Sequence, residues 1–536
     1  MPSSTGNVRQ DLRRWIDPAH NRRPLENPGD LNPETLNAAI ADVGNATVTS
    51  VSVNTSGSFE SPLGPMMDLP DFVDIRVSIT SPQGRDAHVY LWAPLDWNER
   101  FLGIGGGGSR TLAQWLTPEG MRSPTLRDGV RNGYAVATTD GANRDERFGA
   151  WGLDLETGEI DFDRADNWHV RSNHEMAVVS KRLIERIYGK QPDYSYMMGA
   201  SGGGRQTLMQ AREHPEDFDG YWADCPAINW TKLHVAQMWP PLVMKELSNP
   251  VPLAKMEAFR RAAISAHDAQ DGLVDGIIAR SDFPSWDARL LVGASTAAGP
   301  ITERDAEVMN LIWQGPRTSQ SEWLWYGPPI DSEFAGGGPL GIGLAVTAMV
   351  EGVLTPVPFS LATDWIGSWV LRDADWDWTT LTFEQYEEIF ERSVRDFEAY
   401  DASNPDYSDF VGSGGKLLLS HGTADEGIPA QGTARLYTAI RDTLGGDVAD
   451  EHFRFYLTPG DVHATLYGNG PGLSLAAGME ALVAWVESGE APDILTAIRT
   501  DPRTEETTMV RPIAPYPLNG KYIGGDPAAS ESYRFS

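Results

Sequence analysis

The chain has 536 residues, 41% of them hydrophobic and 22% charged, the proportions of a folded soluble protein. Its formal net charge of −32 at pH 7 excludes nucleic acid and anionic lipid as partners, because both would be repelled. No apolar run approaches the roughly 18 residues needed to span a bilayer, which excludes membrane insertion.

The chain opens with Met1-Pro2-Ser3-Ser4-Thr5-Gly6-Asn7 and a charged stretch, without the apolar segment of a signal peptide. Cys225 is the only cysteine, so no intrachain disulfide can form. Together these features lead to the expectation of a reducing, cytoplasmic location. Residues 1–33, with many Pro, Asn and charged residues, read as a loosely ordered N-terminal arm. Alternating β-rich runs follow at 46–53, 73–80 and 88–92, and 100–104 leads into four glycines at 105–108. A further strand at 134–139 ends at Asp140-Gly141. Met176, Val179, Leu183, Ile184 and Ile187 recur at helical spacing and predict a helix over about 173–188. Strand, helix, strand, helix in this order predicts an α/β fold with a mostly parallel sheet.

The next strand, 194–198, runs into Gly199-Ala200-Ser201-Gly202-Gly203. A GxSxG motif between a strand and a helix forces its central residue into a strained, exposed turn, which makes Ser201 the candidate nucleophile. Arg205 to Arg212 is rich in helix formers, so a helix N-terminus with its partial positive charge would lie under a developing oxyanion. From 225 to 410 the sequence becomes Trp-, Pro- and Gly-rich, with helical stretches, and reads as an insertion. The sheet resumes at 416–420, followed by a helix near 430–444, a strand at 453–457 and an amphipathic helix near 478–486. The expected organisation is an arm (1–33), a catalytic domain (34–224 and 411–536) and an inserted lid domain (225–410).

An activated serine needs a base and an acid that orients the base. Asp425 follows one strand in Ser420-His421-Gly422-Thr423-Ala424-Asp425, and His463 follows the next in Thr458-Pro459-Gly460-Asp461-Val462-His463. Ser, Asp, His is the chain order of α/β-hydrolases, and sites in open parallel sheets collect at this edge. Asp461 is close enough in sequence to compete with Asp425. His169, His174, His421 and His452 read as surface or packing residues. Gly106 or Gly107, with the N–H of Gly202, is expected to form the oxyanion hole. The stretch Asp268 to Ile277 carries three carboxylates and two glycines, a pattern that suits Ca²⁺ but on its residues alone reads more readily as an acidic solvated turn.

These residues resemble the tannase and feruloyl esterase family of α/β-hydrolases, which also includes an enzyme acting on the mono-ester released from polyester plastic. The likeness runs from about residue 35 onward. Besides the elbow it rests on Tyr194-Ser195-Tyr196, Gly204-Arg205-Gln206, Pro215-Glu216-Asp217-Phe218-Asp219-Gly220, Asp375-Trp376-Asp377 and His421-Gly422. It implies an α/β-hydrolase fold with a large lid-domain insertion over the site. It also implies a structural calcium in that lid, with side chains of Asp268, Asp271 and Asp275 and carbonyls of Leu273 and Ile277 as ligands. Family members typically join a Cys before the nucleophile to a Cys after the catalytic His. Here those positions are Ala200 and Ala464, so two small side chains are expected where the bridge would lie, with the His loop held by packing alone. His267 likewise stands where the family often has a Cys before the calcium loop.

Eleven of the 18 tryptophans lie between Trp222 and Trp378, and an aromatic wall would suit an aromatic acyl or alcohol group. Trp239, Trp365 and Trp369 are the candidate substrate contacts. The combined reading is a serine carboxylic-ester hydrolase of a small-molecule ester, using Ser201, His463 and Asp425 through an acyl-enzyme and needing no organic cofactor. The alternatives are a lactonase or acyltransferase with the same triad, and a non-catalytic binding protein on this fold.

Overall fold

The computed structural model describes residues 11–15, 22–144 and 147–536. Nine strands form the main sheet: β1 Ala46–Asn54, β2 Phe72–Thr80, β3 Asp86–Pro94, β4 Arg100–Ile104, β5 Ala135–Thr139, β6 Tyr194–Ala200, β7 Gly220–Asp224, β8 Lys416–Gly422 and β9 Phe453–Thr458. Their order is β9-β8-β7-β6-β4-β5-β3-β2-β1. The strands from β9 to β5 are mutually parallel, and β3, β2 and β1 are added antiparallel. In β2 the apolar Val73, Ile75, Val77 and Ile79 are buried and alternate with the half-buried Asp74, Arg76 and Ser78, the period of a strand with one face on the core. The strands β4, β5 and β7 are buried at every position, as expected where helices cover both faces.

The longer helices that flank the sheet include α1 Ser172–Tyr188, α2 Gly202–Glu213, α3 Gln431–Leu444 and α4 Leu475–Ser488. Successive strand residues point to opposite cores. Met197, Leu417 and Leu419 pack with Leu183 of α1, Leu208 of α2 and Ile440 of α3. Their neighbours Tyr196, Met198 and Leu418 pack with Met479 and Leu482 of α4. The chain builds outward from β4 in both directions, to β5 on one side and β6 on the other. This topological switch opens a crevice at the carboxyl ends of β4 and β6, where α/β sheets place their ligands. With the nucleophile elbow following β6, the arrangement is that of an α/β-hydrolase.

Between β7 and β8 the inserted stretch contributes helices Trp230–Ala236, Trp239–Glu246, Leu253–His267, Glu303–Gln314 and Phe383–Phe397. Its core is not closed on itself. Trp151, Leu153, Ile160 and Trp168, which precede α1, pack among Trp230, Phe259, Ile312, Trp365 and Trp369.

Two expectations need correction. Strand β7 is absent from the predicted runs, because five residues bounded by Gly and Asp give little periodic signal. The expected loose arm is, over its described residues, part of the fold. Leu12, Arg13 and Trp15 are buried, and Arg13 reaches Asp128 with Nε at 2.9 Å and Nη2 at 2.6 Å. Arg23–Pro24 also pairs with Asp96–Trp97. Residues 1–10 and 16–21 of the arm lie outside the described residues. Among the described residues no helix is long and apolar enough to cross a membrane.

Candidate active site

Ser201 sits between β6 and α2 with φ 61° and ψ −121°, a conformation that a side chain adopts only when its surroundings enforce it. The enforcement is backbone packing. A Cβ on Gly199 would lie 2.4 Å from Gly203 backbone, one on Gly203 would lie 2.3 Å from the Gly106 carbonyl oxygen, and one on Gly202 would lie 1.9 Å from that of Gly108. Glycine is therefore required where the β4 loop presses on the elbow. The Ser201 N–H donates to the Asp224 carbonyl at the end of β7 (3.0 Å), and the first turn of α2 starts at the next residue.

Asp425 lies in the loop after β8 and is fully buried. Its Oδ1 accepts the backbone N–H groups of Gly427 (2.9 Å) and Ile428 (2.7 Å). Its Oδ2 is 2.8 Å from His463 Nδ1 and 3.2 Å from His421 Nε2. Burial alone would raise this carboxyl, but the charges and hydrogen bonds of His463 and His421 outweigh it and hold Asp425 below the usual carboxylate range. The converse holds at His463. Burial opposes its charged form, yet the Asp425 carboxylate beside it lifts the imidazole well above its ordinary value. Asp461, the rival acid, instead accepts from Thr458 Oγ1 (2.8 Å) and from Arg122. His421, expected to be a packing residue, is buried and steadies the acid.

Arg122, which carries no motif in the sequence, joins these loops. Its guanidinium donates from Nε to Asp224 Oδ2 (2.7 Å), from Nη1 to Asp461 Oδ1 (3.1 Å) and the Thr465 carbonyl (3.0 Å), and from Nη2 to the Val462 carbonyl (3.2 Å). Its backbone N–H donates to the Ala464 carbonyl (2.9 Å). Ala200 and Ala464 do share one buried cluster, which also holds Cys225. The His loop is nonetheless held by an ion network as well as by packing. Burial pushes the Cys225 thiol up to about 11. Glu426 was also unforeseen: it accepts the His463 N–H at 3.2 Å, and burial pushes its carboxyl up to about 7.

Of the expected oxyanion donors, Gly106 is otherwise engaged. Its N–H donates to Gln206 Oε1 at 2.9 Å, because that side chain projects from α2 onto the loop. Gly107 is half-buried, and its N–H has no acceptor among the described residues. Gly202 opens α2, where first-turn N–H groups have no partner within the helix.

The three candidate tryptophans separate. Trp239 belongs to the core of the inserted stretch, donating to the Leu311 carbonyl (2.9 Å) and packing on Phe383 and Tyr386. It is removed from the substrate contacts. Trp365 and Trp369 line a small pocket with Trp151, Trp168, Trp230 and His234, at whose edge stands Ser109, next to the glycine loop. Gln237 orders this pocket. Its Nε2 donates to the Gly427 carbonyl (2.9 Å), so its Oε1 faces His234 Nδ1 (2.7 Å) and that nitrogen carries the proton. His234 Nε2 is left as a buried acceptor without a partner. Burial pushes the imidazole down to about 4, so it is neutral.

In the acidic loop, Asp268 Oδ1 accepts the N–H groups of Asp275 (2.9 Å) and Gly276 (3.0 Å), and Asp271 Oδ1 accepts that of Leu273 (3.0 Å). Asp275 Oδ2 pairs with Arg511 at 2.8 Å, while its Oδ1 is buried and unpartnered. Burial and the neighbouring carboxylates raise Asp271. Each carboxylate thus keeps one oxygen of the kind a hard cation takes, but the three ligand atoms are not gathered, and an ion would have to draw them together. Among the described residues, the groups whose ligand atoms already lie within 4.8 Å of one another are His174-His214-Asp217 and Cys225-Asp425-His463.

Replacing Arg122 with Met leaves two buried carboxylates facing each other unpaired. The expected loss is about 3–5 kcal/mol in unfolding free energy, read from urea denaturation, with partial recovery on adding Asp461→Asn.

The family model described as tannase and feruloyl esterase matches residues 75–535. A probable feruloyl esterase of Arthroderma benhamiae is 34% identical over 474 residues, covering 86% of this chain and 85% of its own. The mono(2-hydroxyethyl) terephthalate hydrolase of Piscinibacter sakaiensis is 25% identical over 530 residues, covering 87% and 84%. Among solved structures, the tannin acyl hydrolase of Aspergillus niger superposes with a TM-score of 0.79 at 21% identity, covering 94% of each chain. Feruloyl esterase B of Aspergillus oryzae gives 0.78 at 23% identity, covering 94% of this chain and 100% of its own. With the elbow, the acid and the imidazole gathered at one sheet edge and the match spanning most of its length, this chain belongs to the tannase and feruloyl esterase family and is a carboxylic ester hydrolase of α/β-hydrolase fold.

Proposed function

We propose that the chain hydrolyses esters of hydroxylated aromatic acids through a Ser201-His463-Asp425 triad. The observation that carries this reading is the 2.8 Å bond from His463 Nδ1 to the buried Asp425, on the same sheet edge as the strained Ser201. Ser201 Oγ attacks the ester carbonyl while His463 takes its proton. The N–H groups of Gly107 and Gly202 hold the oxyanion, and His463 returns the proton to the leaving alcohol. Water, activated by the same imidazole, then releases the acid. Asp425 fixes the ring and stabilises the imidazolium without itself being protonated.

The aromatic pocket supports the choice of acid. Its indole walls offer flat faces and His234 Nε2 offers a lone pair to a ring hydroxyl, but the walls enclose only about 10 Å³, so an acyl ring enters only when they part. The names of two relatives, a probable feruloyl esterase and a terephthalate mono-ester hydrolase, agree with an aromatic acyl group. The reading includes a calcium ion held by Asp268, Asp271, Asp275 and the carbonyls of Leu273 and Ile277, which would brace the inserted stretch. It also includes a reducing, cytoplasmic setting, consistent with a sole cysteine that is buried and free.

Ser201→Ala is expected to lower kcat at least about 10⁴-fold and to abolish labelling by an active-site phosphonate. His463 must be neutral to accept a proton and its pKa is raised. The acidic limb of kcat/KM is therefore expected to lie above the ordinary histidine value of about 6.5, with activity climbing as pH rises through it. A flat profile from pH 5 upward, or labelling that survives Ser201→Ala, would remove the triad assignment. For the acyl pocket, His234→Leu is expected to lower kcat/KM on methyl 4-hydroxycinnamate about 10–100-fold while leaving methyl cinnamate unchanged. Equal losses on both esters would count against the hydroxyl contact. For the cation, chelation is expected to lower the melting temperature of the wild type but not of Asp275→Asn, and an unchanged wild-type midpoint would rule the ion out.

A further inference from the structure

A second cleft lies outside the aromatic pocket. It has a volume of about 450 Å³, within the range of about 300–1,000 Å³ typical of ligand sites. Trp286, Trp313, Trp323 and Tyr326 supply its ring surfaces, and Asp331 and Gln431 supply polar groups. None of Ser201, Asp425 and His463 lines it. Thr423 does, two residues before Asp425, so the cleft runs beside the loop that carries the acid.

The rings are arranged as platforms. Trp323 is 40% exposed and lies 4.9 Å from Tyr326 and 5.9 Å, stacked, from the buried Trp325 behind it. Trp286 meets Trp313 edge to face at 6.1 Å. The polar groups between the rings are unsatisfied in both senses. Trp313 Nε1 is a buried donor and Gln431 Oε1 a buried acceptor, each without a partner among the described residues. Such atoms call for a ligand that both donates and accepts. Burial pushes the nearby Asp331 carboxyl up to about 7, so in its acid form it can serve either way.

The charges in the cleft are spent on each other. Arg289 pairs with Asp287 and Arg280 with Asp282. Arg435, 6.0 Å from the centre of the Trp323 ring, is at the rim and not in the lining of the cleft, and the net charge of −32 disfavours an anionic ligand. What remains is a ligand with a flat C–H face for the indoles and a rim of hydroxyls for the orphaned atoms, and this is the chemistry of a pyranose ring. We propose that this cleft is a second binding site, separate from the ester-cleaving site, for a neutral saccharide chain. An ester carried on such a chain would be held alongside the Asp425 loop.

The test is calorimetric titration of the intact protein with xylotriose and with cellotriose. At least one is expected to bind saturably. Trp323→Ala is expected to weaken that binding about tenfold, and Trp323→Phe to retain it. Both variants should keep the wild-type melting temperature and the wild-type rate on 4-nitrophenyl acetate. The saccharide should not compete with hydrolysis of that ester. The proposal is overturned if neither trisaccharide binds, if binding survives Trp323→Ala, if it is competitive with ester hydrolysis, or if benzoate displaces it. Because the titration reads binding directly, it is decided even in a protein that cleaves no ester.

Discussion

The geometry of the site depends on one buried cation. Arg122 stands between Asp224, at the end of β7, and Asp461, in the loop leading to His463. Since the Asp224 carbonyl also receives the Ser201 N–H, a single guanidinium connects the strand end that holds Ser201 with the loop that presents His463. Two carboxylates share one positive charge in a dry setting. Burial and the Asp224 charge push the Asp461 carboxyl up to about 7 against the pull of Arg122. A disulfide at this place would act largely by restricting the unfolded chain. The ion network acts in the folded state, through directional bonds whose removal strands buried charge. It does so without any dependence on the redox state of Cys225, which is buried in one cluster with Ala200 and Ala464.

Much of this was legible in the sequence because the decisive residues follow strands. Ser201, Asp425 and His463 each stand just past an apolar run at the carboxyl edge of the sheet, and Asp425 and His463 meet at 2.8 Å. The mostly parallel sheet was equally legible from the alternation of strand and helix. What escaped detection is tertiary. Arg122 has no neighbours in sequence that mark it, and its meaning comes from two carboxylates more than 100 residues away. Gly106 and Gly107 are indistinguishable in the run of four glycines, and the side chain of Gln206 separates them. Composition located the tryptophan-rich stretch but could not assign faces, so Trp239 falls in the core while Trp365 and Trp369 line a pocket. Arg13 lies among Pro, Asn and charged residues and still packs against Asp128, because a full set of hydrogen-bond partners offsets the cost of burying its charge.

The aromatic pocket is built by two distant parts of the chain. Trp151 and Trp168 precede α1, whereas Trp230, Trp365 and Trp369 come from the inserted stretch. Their rings contact one another edge to face, Trp151 with Trp369 at 5.0 Å and Trp168 with Trp230 at 5.0 Å. The pocket therefore belongs to the seam between the insertion and the main sheet, and a transplanted insertion would carry only part of it.

Gln237 gives that seam a mechanical role. One end of its amide orients the imidazole of His234 in the pocket wall, and the other supports the Gly427 carbonyl, in the same turn whose N–H binds Asp425. It works as a strut between the pocket wall and the turn that binds Asp425. A shift of the insertion at Gln237 therefore bears on the turn that binds Asp425, and through it on the bond from Asp425 to His463.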